Sequence, residues 1–197
     1  MKLLSIIEPI SKFIGRIHAP VSERLITGKD FYAIQSQIQP GDILLSRIRW
    51  HLTNIFIEDF WKHAALVTED LQIIEATAEG VHLTSLYDFI SNKDYACVLR
   101  LNPIFPAHLR KEAARTALKA IGSQYDYEFE LKDNEYYCSE LVDWAYSEND
   151  IQLVPYVESM GIKSILPSAF YRAINKLDLI YVSDSCKNIA IERYLIK

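Results

Sequence analysis

A thiol, an imidazole and a carboxylate can form a nucleophile, a general base and an orienting partner, and this chain offers a candidate for each role. Cys138 lies in Glu135-Tyr-Tyr-Cys-Ser-Glu-Leu-Val-Asp-Trp-Ala-Tyr146, where Cys138, Leu141, Val142 and Ala145 recur at i, i+3, i+4 and i+7. That spacing predicts an inward stripe on a helix whose other side carries Ser139, Glu140 and Asp143. A cysteine in the first turn of such a helix meets unpaired backbone N–H groups and the positive end of the dipole, which favour the thiolate. Taken by itself, a cysteine on an apolar stripe is an ordinary small core residue. What singles Cys138 out is its company.

The imidazole is His63, in Trp61-Lys-His-Ala-Ala-Leu-Val67, and the carboxylate is Glu75, in Leu71-Gln-Ile-Ile-Glu-Ala-Thr77. Both runs have strand character and flank a polar turn at Glu69-Asp70, which predicts a hairpin. With the turn centred near Glu69, residues whose numbers sum to about 138 oppose one another, bringing Glu75 opposite His63 within one residue. A carboxylate there would fix the imidazole tautomer and stabilise its cation; an exposed cross-strand pair of little energetic weight is the alternative.

The remaining elements must hold these three groups. Gln39-Pro-Gly-Asp42 reads as a turn feeding the apolar strand Ile43-Leu-Leu-Ser46, preceded by a short helix over Lys29 to Gln35. Leu52, Ile55, Phe56 and Phe60 suit a helix or an ordered insertion between Arg47 and Phe60. Glu79-Gly80 turns the chain into a strand over Val81 to Thr84, Ser85 caps a helical turn through Ile90, and Tyr95 to Leu101 is a strand carrying an inert Cys97. Leu109, Ala113, Ala117, Leu118 and Ile121 mark a helix that follows Pro106 and stops at Gly122. Asn149 to Ile165 lacks a sustained period and reads as a long loop with short helical turns. A short helix from Pro167 and a closing strand over Leu177 to Ser183 follow, and Ala190 to Ile196 extend or trail along the sheet edge.

The 197 residues, half of them hydrophobic, suffice for one domain with a sizeable core. We divide the chain into an N-terminal helical extension, 1–39, packed on a domain spanning 40–197. The net charge of −5 offers no basic footprint for nucleic acid. Cys97, Cys138 and Cys186 are widely spaced and odd in number, which argues against a disulfide framework or zinc cluster, and His18, His51 and His82 lack mutual ligand spacing. No metal or cofactor is expected. Met1-Lys-Leu-Leu-Ser-Ile-Ile7 begins like a signal peptide but meets Glu8 and Pro9 too early, and no run of roughly 18 apolar residues exists. The expectation is a cytoplasmic protein. Leu3, Ile6, Ile7, Ile10, Phe13, Ile14 and Ile17 mark an amphipathic face; packing on the domain is favoured over peripheral membrane contact through residues 1–17 because only Lys2, Lys12 and Arg16 supply basic charge.

With Gly41-Asp42, His63 and Glu75 first and Cys138 last, the chain resembles a circularly permuted, papain-like cysteine hydrolase of the NlpC type, in the YiiX-like branch, over roughly Pro40 to Ser183. Gly122-Ser-Gln-Tyr125 resembles the family's Gly-x-x-Tyr ahead of its cysteine. The resemblance implies an α+β fold in which an antiparallel sheet packs against the nucleophile-bearing helix. It implies a Cys138–His63–Glu75 triad acting through an acyl-enzyme on amides or esters, with Tyr125 bordering the site and assisting the oxyanion. Tyr137-Cys138-Ser139-Glu140 departs from the Asp-Cys-Ser-Gly of cell-wall peptidases, so the acid that receives a peptide amine is missing. The Asn-Cys-Glu-His-Phe signature of lipid acyltransferases resembling lecithin:retinol acyltransferase is also absent. Small-molecule, peptide and lipid-linked substrates all stay open, as do lipid acyltransferase or phospholipase chemistry and a catalytically idle binding module using the same groove. Tyr125, Tyr127, Phe129, Tyr136 and Tyr137 line an acyl channel or fill core; the two readings differ in whether the rings are accessible.

Overall fold

The computed structural model of the protein describes residues 25–49, 59–129, 134–159 and 162–186. The amphipathic stretch at residues 1–17, most of the segment between Arg47 and Phe60, and Ala190 to Ile196 lie outside the described residues.

Thr27 opens helix α1 (Gly28–Gln35) with a reciprocal cap: its hydroxyl accepts from the Asp30 N–H, and the Asp30 carboxylate accepts from the Thr27 N–H at 2.8 Å. Strand β1 (Ile43–Arg47) follows, then β2 (His63–Val67), β3 (Ile73–Thr77) and β4 (Gly80–Thr84). Helix α2 (Leu86–Ser91), capped by Ser85, returns the chain to β5 (Tyr95–Leu101). Helices α3 (His108–Leu118) and α4 (Cys138–Ser147) come next. A small hairpin of β6 (Val157–Ser159) and β7 (Ile162–Ser164), helix α5 (Pro167–Arg172) and strand β8 (Leu177–Val182) complete the described chain.

Six strands form one antiparallel sheet in the order β4-β3-β2-β1-β5-β8. Both faces are covered, which is why β1 and β2 read as near-continuous apolar runs instead of alternating with polar residues. Ile43, Leu45, Ala64, Leu66 and Ile74 join the core beside Leu141, Val142 and Ala145 of α4 and Ala113 and Ala117 of α3. Leu44, Ala65, Val67 and Ile73 belong to a second core, with Ile34 of α1 and Phe89 and Ile90 of α2. Burying a side chain of this size is worth about 1.5–3 kcal/mol, so the two cores fix the sheet firmly between its helical layers.

Three expectations require correction. The β2–β3 turn spans Thr68 to Gln72 and pairs Leu66 with Ile74 and Val67 with Ile73, so opposing numbers sum to two more than expected. The physical reason is a self-contained five-residue loop: the Thr68 N–H and hydroxyl both donate to the Gln72 carbonyl, and Leu71 takes φ +57°. Residues 149–165 contain the β6–β7 hairpin where only loop and helical turns were expected. Helix α3 ends at Leu118, and Ile121 is exposed beyond it.

Two close approaches matter for the site. Gly41 (φ +82°) packs against the Arg110 backbone, where a Cβ would collide with the carbonyl. Gly80 (φ +90°) approaches the Ser123 carbonyl, which also accepts from the Val81 N–H at 2.9 Å, while the Gly122 N–H donates to the Val81 carbonyl at 2.9 Å. The start of β4 is therefore stitched to the segment that carries Tyr125.

Candidate active site

Tyr137, in an extended conformation, is the residue from which α4 springs, and the Glu140 carboxylate reaches back to accept the Tyr137 N–H at 3.2 Å. This leaves Cys138 as the first helical residue, among N–H groups that have no carbonyl one turn earlier to bond. Two side chains lock the end in place through one backbone unit: the Ile165 N–H donates to the Tyr137 phenol at 2.8 Å, and the Ser139 hydroxyl donates to the Ile165 carbonyl at 2.7 Å. Farther along, the Tyr146 phenol donates to the Gly41 carbonyl at 2.6 Å. The helix is thus anchored at its first turn and again near its last.

His63 opens β2, where it lies opposite Ser46 of β1. Its Nε2 is 2.7 Å from Oε2 of Glu75, whose residue is 7% exposed, and its ring packs at a tilt against Phe89 of α2. The corrected register means that Glu75 reaches His63 along the diagonal between β2 and β3. Nε2 is engaged by the carboxylate, and the Cys138 side chain hydrogen-bonds the His63 ring. Carboxylate, imidazole and thiol form one continuous line ending at the N-terminus of α4.

The electrostatics of the line favour charge separation. Burial opposes a cationic His63, but hydrogen bonds and charge from Cys138 and Glu75 outweigh it and raise the imidazole pKa to about 9. Burial also opposes a Cys138 thiolate, yet the bond to His63, its charge, the Ala64 N–H and the Ser139 hydroxyl bring the thiol below its ordinary value. Glu75 is likewise held below the usual glutamate range: burial acts against it, while His63 chiefly, with Lys93 and His82, overcomes that penalty.

Tyr125 reaches the site by a short backbone clasp. The Tyr136 N–H donates to the Gln124 carbonyl at 3.1 Å and the Asp126 N–H to the Tyr136 carbonyl at 3.3 Å, so the two segments run side by side just before α4. Burial and then the neighbouring Cys138 charge push the Tyr125 phenol well above its ordinary pKa, keeping it a hydrogen-bond donor. Its ring stacks edge-on with Tyr127, centroids 4.9 Å apart, and Phe129 lies 5.2 Å from the Tyr137 ring. Tyr136 and Tyr137 are buried, whereas Phe129 is exposed, so the five aromatic residues divide between core and surface.

Sequence reasoning missed two features. Ser139, Glu140 and Asp143 are buried, although they lie off the apolar stripe. Burial pushes Glu140 up to about 8 and Asp143 up to about 6. The other feature is His82, which lies directly opposite Glu75 on β4, its Nε2 3.9 Å from Oε1. The tight turn at Ala78-Glu79 was the available signal, since it pairs Thr77 with Gly80 and hence Glu75 with His82.

Asp42 does not join the site. It lies at the start of β1, completely buried, and accepts from Arg100 Nε at 2.7 Å and from the Gln39 N–H at 2.8 Å. A hollow of about 410 Å³ bordered by Arg100, Ile104, Phe105 and Arg110 is at that end of the sheet. His63 pairs near the opposite end of β1, so this hollow is remote from the thiol. Among the described residues, no group of three or more His, Cys, Asp or Glu side chains is disposed to hold a metal ion, and no helix is long and apolar enough to cross a membrane.

Residues 37–174 match a family described as permuted papain-like amidase enzymes, YaeF/YiiX, C92 family. Among solved structures, the chain is similar to the crystal structure of metalloprotein yiiX from Escherichia coli O157:H7, with a TM-score of 0.64 and 20% identity over 74% of this chain and 97% of that one. At that identity the likeness bears on the fold. No curated protein matches the chain.

Proposed function

The chain belongs to the permuted papain-like amidase family, and from that premise we propose that it hydrolyses amide or ester bonds with Cys138 as nucleophile, His63 as general base and acid, and Glu75 as orienting carboxylate. The observation that carries this reading is the unbroken hydrogen-bonded line from Glu75 through His63 to Cys138 at a helix N-terminus. His63 takes the thiol proton, and the Cys138 sulfur attacks the carbonyl carbon. The Cys138 N–H and the Tyr125 phenol are the donors proposed for the resulting oxyanion. Collapse of the tetrahedral adduct expels an amine or alcohol that receives the proton from His63, leaving a thioester. Water then attacks the thioester while His63 accepts its proton, and the released thiolate and acid complete the cycle.

For the substrate we favour lipid-linked or other hydrophobic amides and esters. Tyr137 occupies the position of the acid that serves cell-wall peptidases, so a peptide amine has no counterpart there. Tyr125, Tyr127 and the exposed Phe129 instead present apolar surface, on which each buried CH₂ of an acyl chain contributes about 0.8 kcal/mol. The test is a series of acyl amides and esters of increasing chain length, run beside murein-type peptides. Turnover that rises with chain length is expected. Peptide turnover with no chain-length dependence would reverse the substrate assignment, and inertness toward every substrate, with no adduct on Cys138, would favour an idle binding module.

A further inference from the structure

We propose that the hollow bounded by Arg100, Arg110 and the loop that follows β5 is a second binding site, remote from the thiol, for a monoanionic amphiphile: a carboxylate carried on an apolar chain. The site goes beyond the catalytic reading and does not depend on it.

The loop is built to hold one shape. Strand β5 ends at Leu101, and Asn102 clamps the residues after it: its carbonyl accepts from the Phe105 N–H at 3.0 Å, its side-chain Oδ1 accepts from the Ile104 N–H at 3.0 Å, and its Nδ2 donates to Asp178 of β8 at 2.9 Å. Pro103 and Pro106 each fix their own φ, which narrows the loop further. Phe105 packs against the main core, while Ile104 stands 74% exposed. A lone exposed isoleucine is ordinary. This one borders a hollow of about 410 Å³, within the roughly 300–1,000 Å³ typical of small-molecule sites, whose walls include Pro103, Phe105, Pro106 and the two arginines.

The arginines supply the polar end. Asp42, completely buried at the start of β1, accepts from Arg100 Nε at 2.7 Å and Nη2 at 2.6 Å, and Nη2 also donates to the Gln37 carbonyl. Arg110 comes from α3, which is held close by the packing of its backbone on Gly41; its Nη1 donates to Gln39 Oε1 at 3.0 Å and lies 3.7 Å from Asp42. Every guanidinium nitrogen carries N–H donors, and Nη1 of Arg100 and Nε and Nη2 of Arg110 have no partner for theirs among the described residues. Both side chains are only 18% exposed. Two cations around one buried carboxylate leave a single positive charge over, in a recess where salt and solvent screen it less than on open surface. Asp178 lies opposite Arg100 on β8, but it is engaged by Asn102 and does not line the hollow. One spare charge matches a carboxylate, whereas a phosphate dianion would set a second negative charge against the buried Asp42. Ala107, the N-cap of α3, also lines the hollow and has no side-chain oxygen to cap the first-turn N–H groups, so the helix end acts in the same direction.

Octanoate is the probe, titrated well below its micellar concentration into the full chain by calorimetry, with the backbone NMR signals of Asn102, Ile104, Phe105 and Ala107 recorded alongside. Saturable binding at one site that moves those signals is expected. Arg110→Gln should weaken it about tenfold, the loss expected for hydrogen bonds to a charged group. Ile104→Ser, on an exposed side chain whose loss leaves the fold in place, should weaken it about fivefold. Octanol and acetate, each holding half of the amphiphile, should bind about tenfold more weakly or worse, and inorganic phosphate no better than acetate. Iodoacetamide should alkylate Cys138 at the same rate with and without octanoate. Lack of saturable binding would overturn the proposal, as would an affinity unchanged in both variants. Octanol binding as tightly as octanoate would reduce the hollow to an apolar patch, phosphate binding as tightly would make it a simple anion site, and either result rejects the proposal. Octanoate that protects Cys138 and leaves the loop signals in place is bound at the thiol, which rejects it too. An unreactive Cys138 would end the catalytic reading, while the loop signals still decide whether octanoate occupies the hollow.

Discussion

Cys138 and Cys186 are both buried thiols with serine hydroxyls beside them, yet their environments move them in opposite directions. Cys186 ends the short turn after β8, where Ser183 donates to its sulfur at 3.5 Å, and burial pushes it up to about 11 despite that bond and help from Ser185. Cys138 suffers the same desolvation, but the bond to His63 and that group's charge, with the Ala64 N–H and the Ser139 hydroxyl, bring it below its ordinary value. Hydroxyl donors therefore do not make a nucleophile out of a buried cysteine. A positive partner does, because stabilising a thiolate in a region of low polarity requires charge as well as hydrogen bonds. Cys97 lies in the middle of β5 and is completely buried.

The largest expected effect comes from removing each thiol in turn. Cys138→Ala should abolish turnover and selective alkylation, whereas Cys186→Ala and Cys97→Ala should keep both near the parental rate. Intact-mass analysis after brief exposure to iodoacetamide, together with hydrolysis rates, checks this. An adduct at Cys186 in preference to Cys138 would break the comparison.

A second, intermediate effect is in the pH dependence. A thiol whose pKa is lowered keeps its thiolate toward more acid solution, so Cys138 should alkylate at neutral pH, while Cys186 should need solution near its value of about 11. His63 holds its proton up to about 9, so hydrolysis, which needs the imidazolium to protonate the leaving group, should decline as pH rises through about 9. Rate profiles of alkylation at each cysteine and of hydrolysis test both limbs. Indistinguishable alkylation midpoints for the two thiols would contradict the assigned environments.

The smallest effect concerns Glu140, whose carboxyl, on the same helix as Cys138, is raised chiefly by burial and further by Asp126, Asp143 and Glu135. Glu140 is shifted up to about 8 from 4.5, so between those values the native state binds more protons than the unfolded chain, and stability must fall as pH rises through that window. Glu140→Gln keeps an acceptor for the Tyr137 N–H but removes the titration. Its unfolding midpoint should therefore vary less than the parent's between pH 5 and pH 8. Equal slopes for the two proteins would show that Glu140 does not carry this dependence.

These contrasts were unevenly legible beforehand. The spacing of Cys138, Leu141, Val142 and Ala145 marked the buried stripe of α4, and the β-branched and aliphatic runs of β2, β3 and β5 marked strands, because both patterns follow from local periodicity. The β2–β3 register was two residues out because no Gly or Asn announces the αL position in that turn; Leu71 occupies it and is exposed, while Thr68 closes the loop. The burial of Glu140 and Asp143 was illegible for a different reason. The chain beyond α4 returns over its polar side, where Tyr156 donates to Asp143 at 3.3 Å and Ile165 pairs with Ser139. Three-residue strands such as β6 and β7 are too short to show a period at all.

The order of the parts along the chain has a consequence for how the protein is made. His63 and Glu75 lie on neighbouring strands of one hairpin and meet through a five-residue turn, an event of local chain closure. Cys138 leaves the ribosome much later and joins them only when α4 docks across β2 and β3. Loop closure becomes costlier with length, so the hairpin is the less demanding contact and the docking the more demanding one. A chain in which α4 has not docked therefore holds the His63–Glu75 pair without Cys138, whose thiol lacks its imidazole partner until that long-range contact closes. Thiol reactivity at Cys138 is in this sense a reporter of the docking of α4.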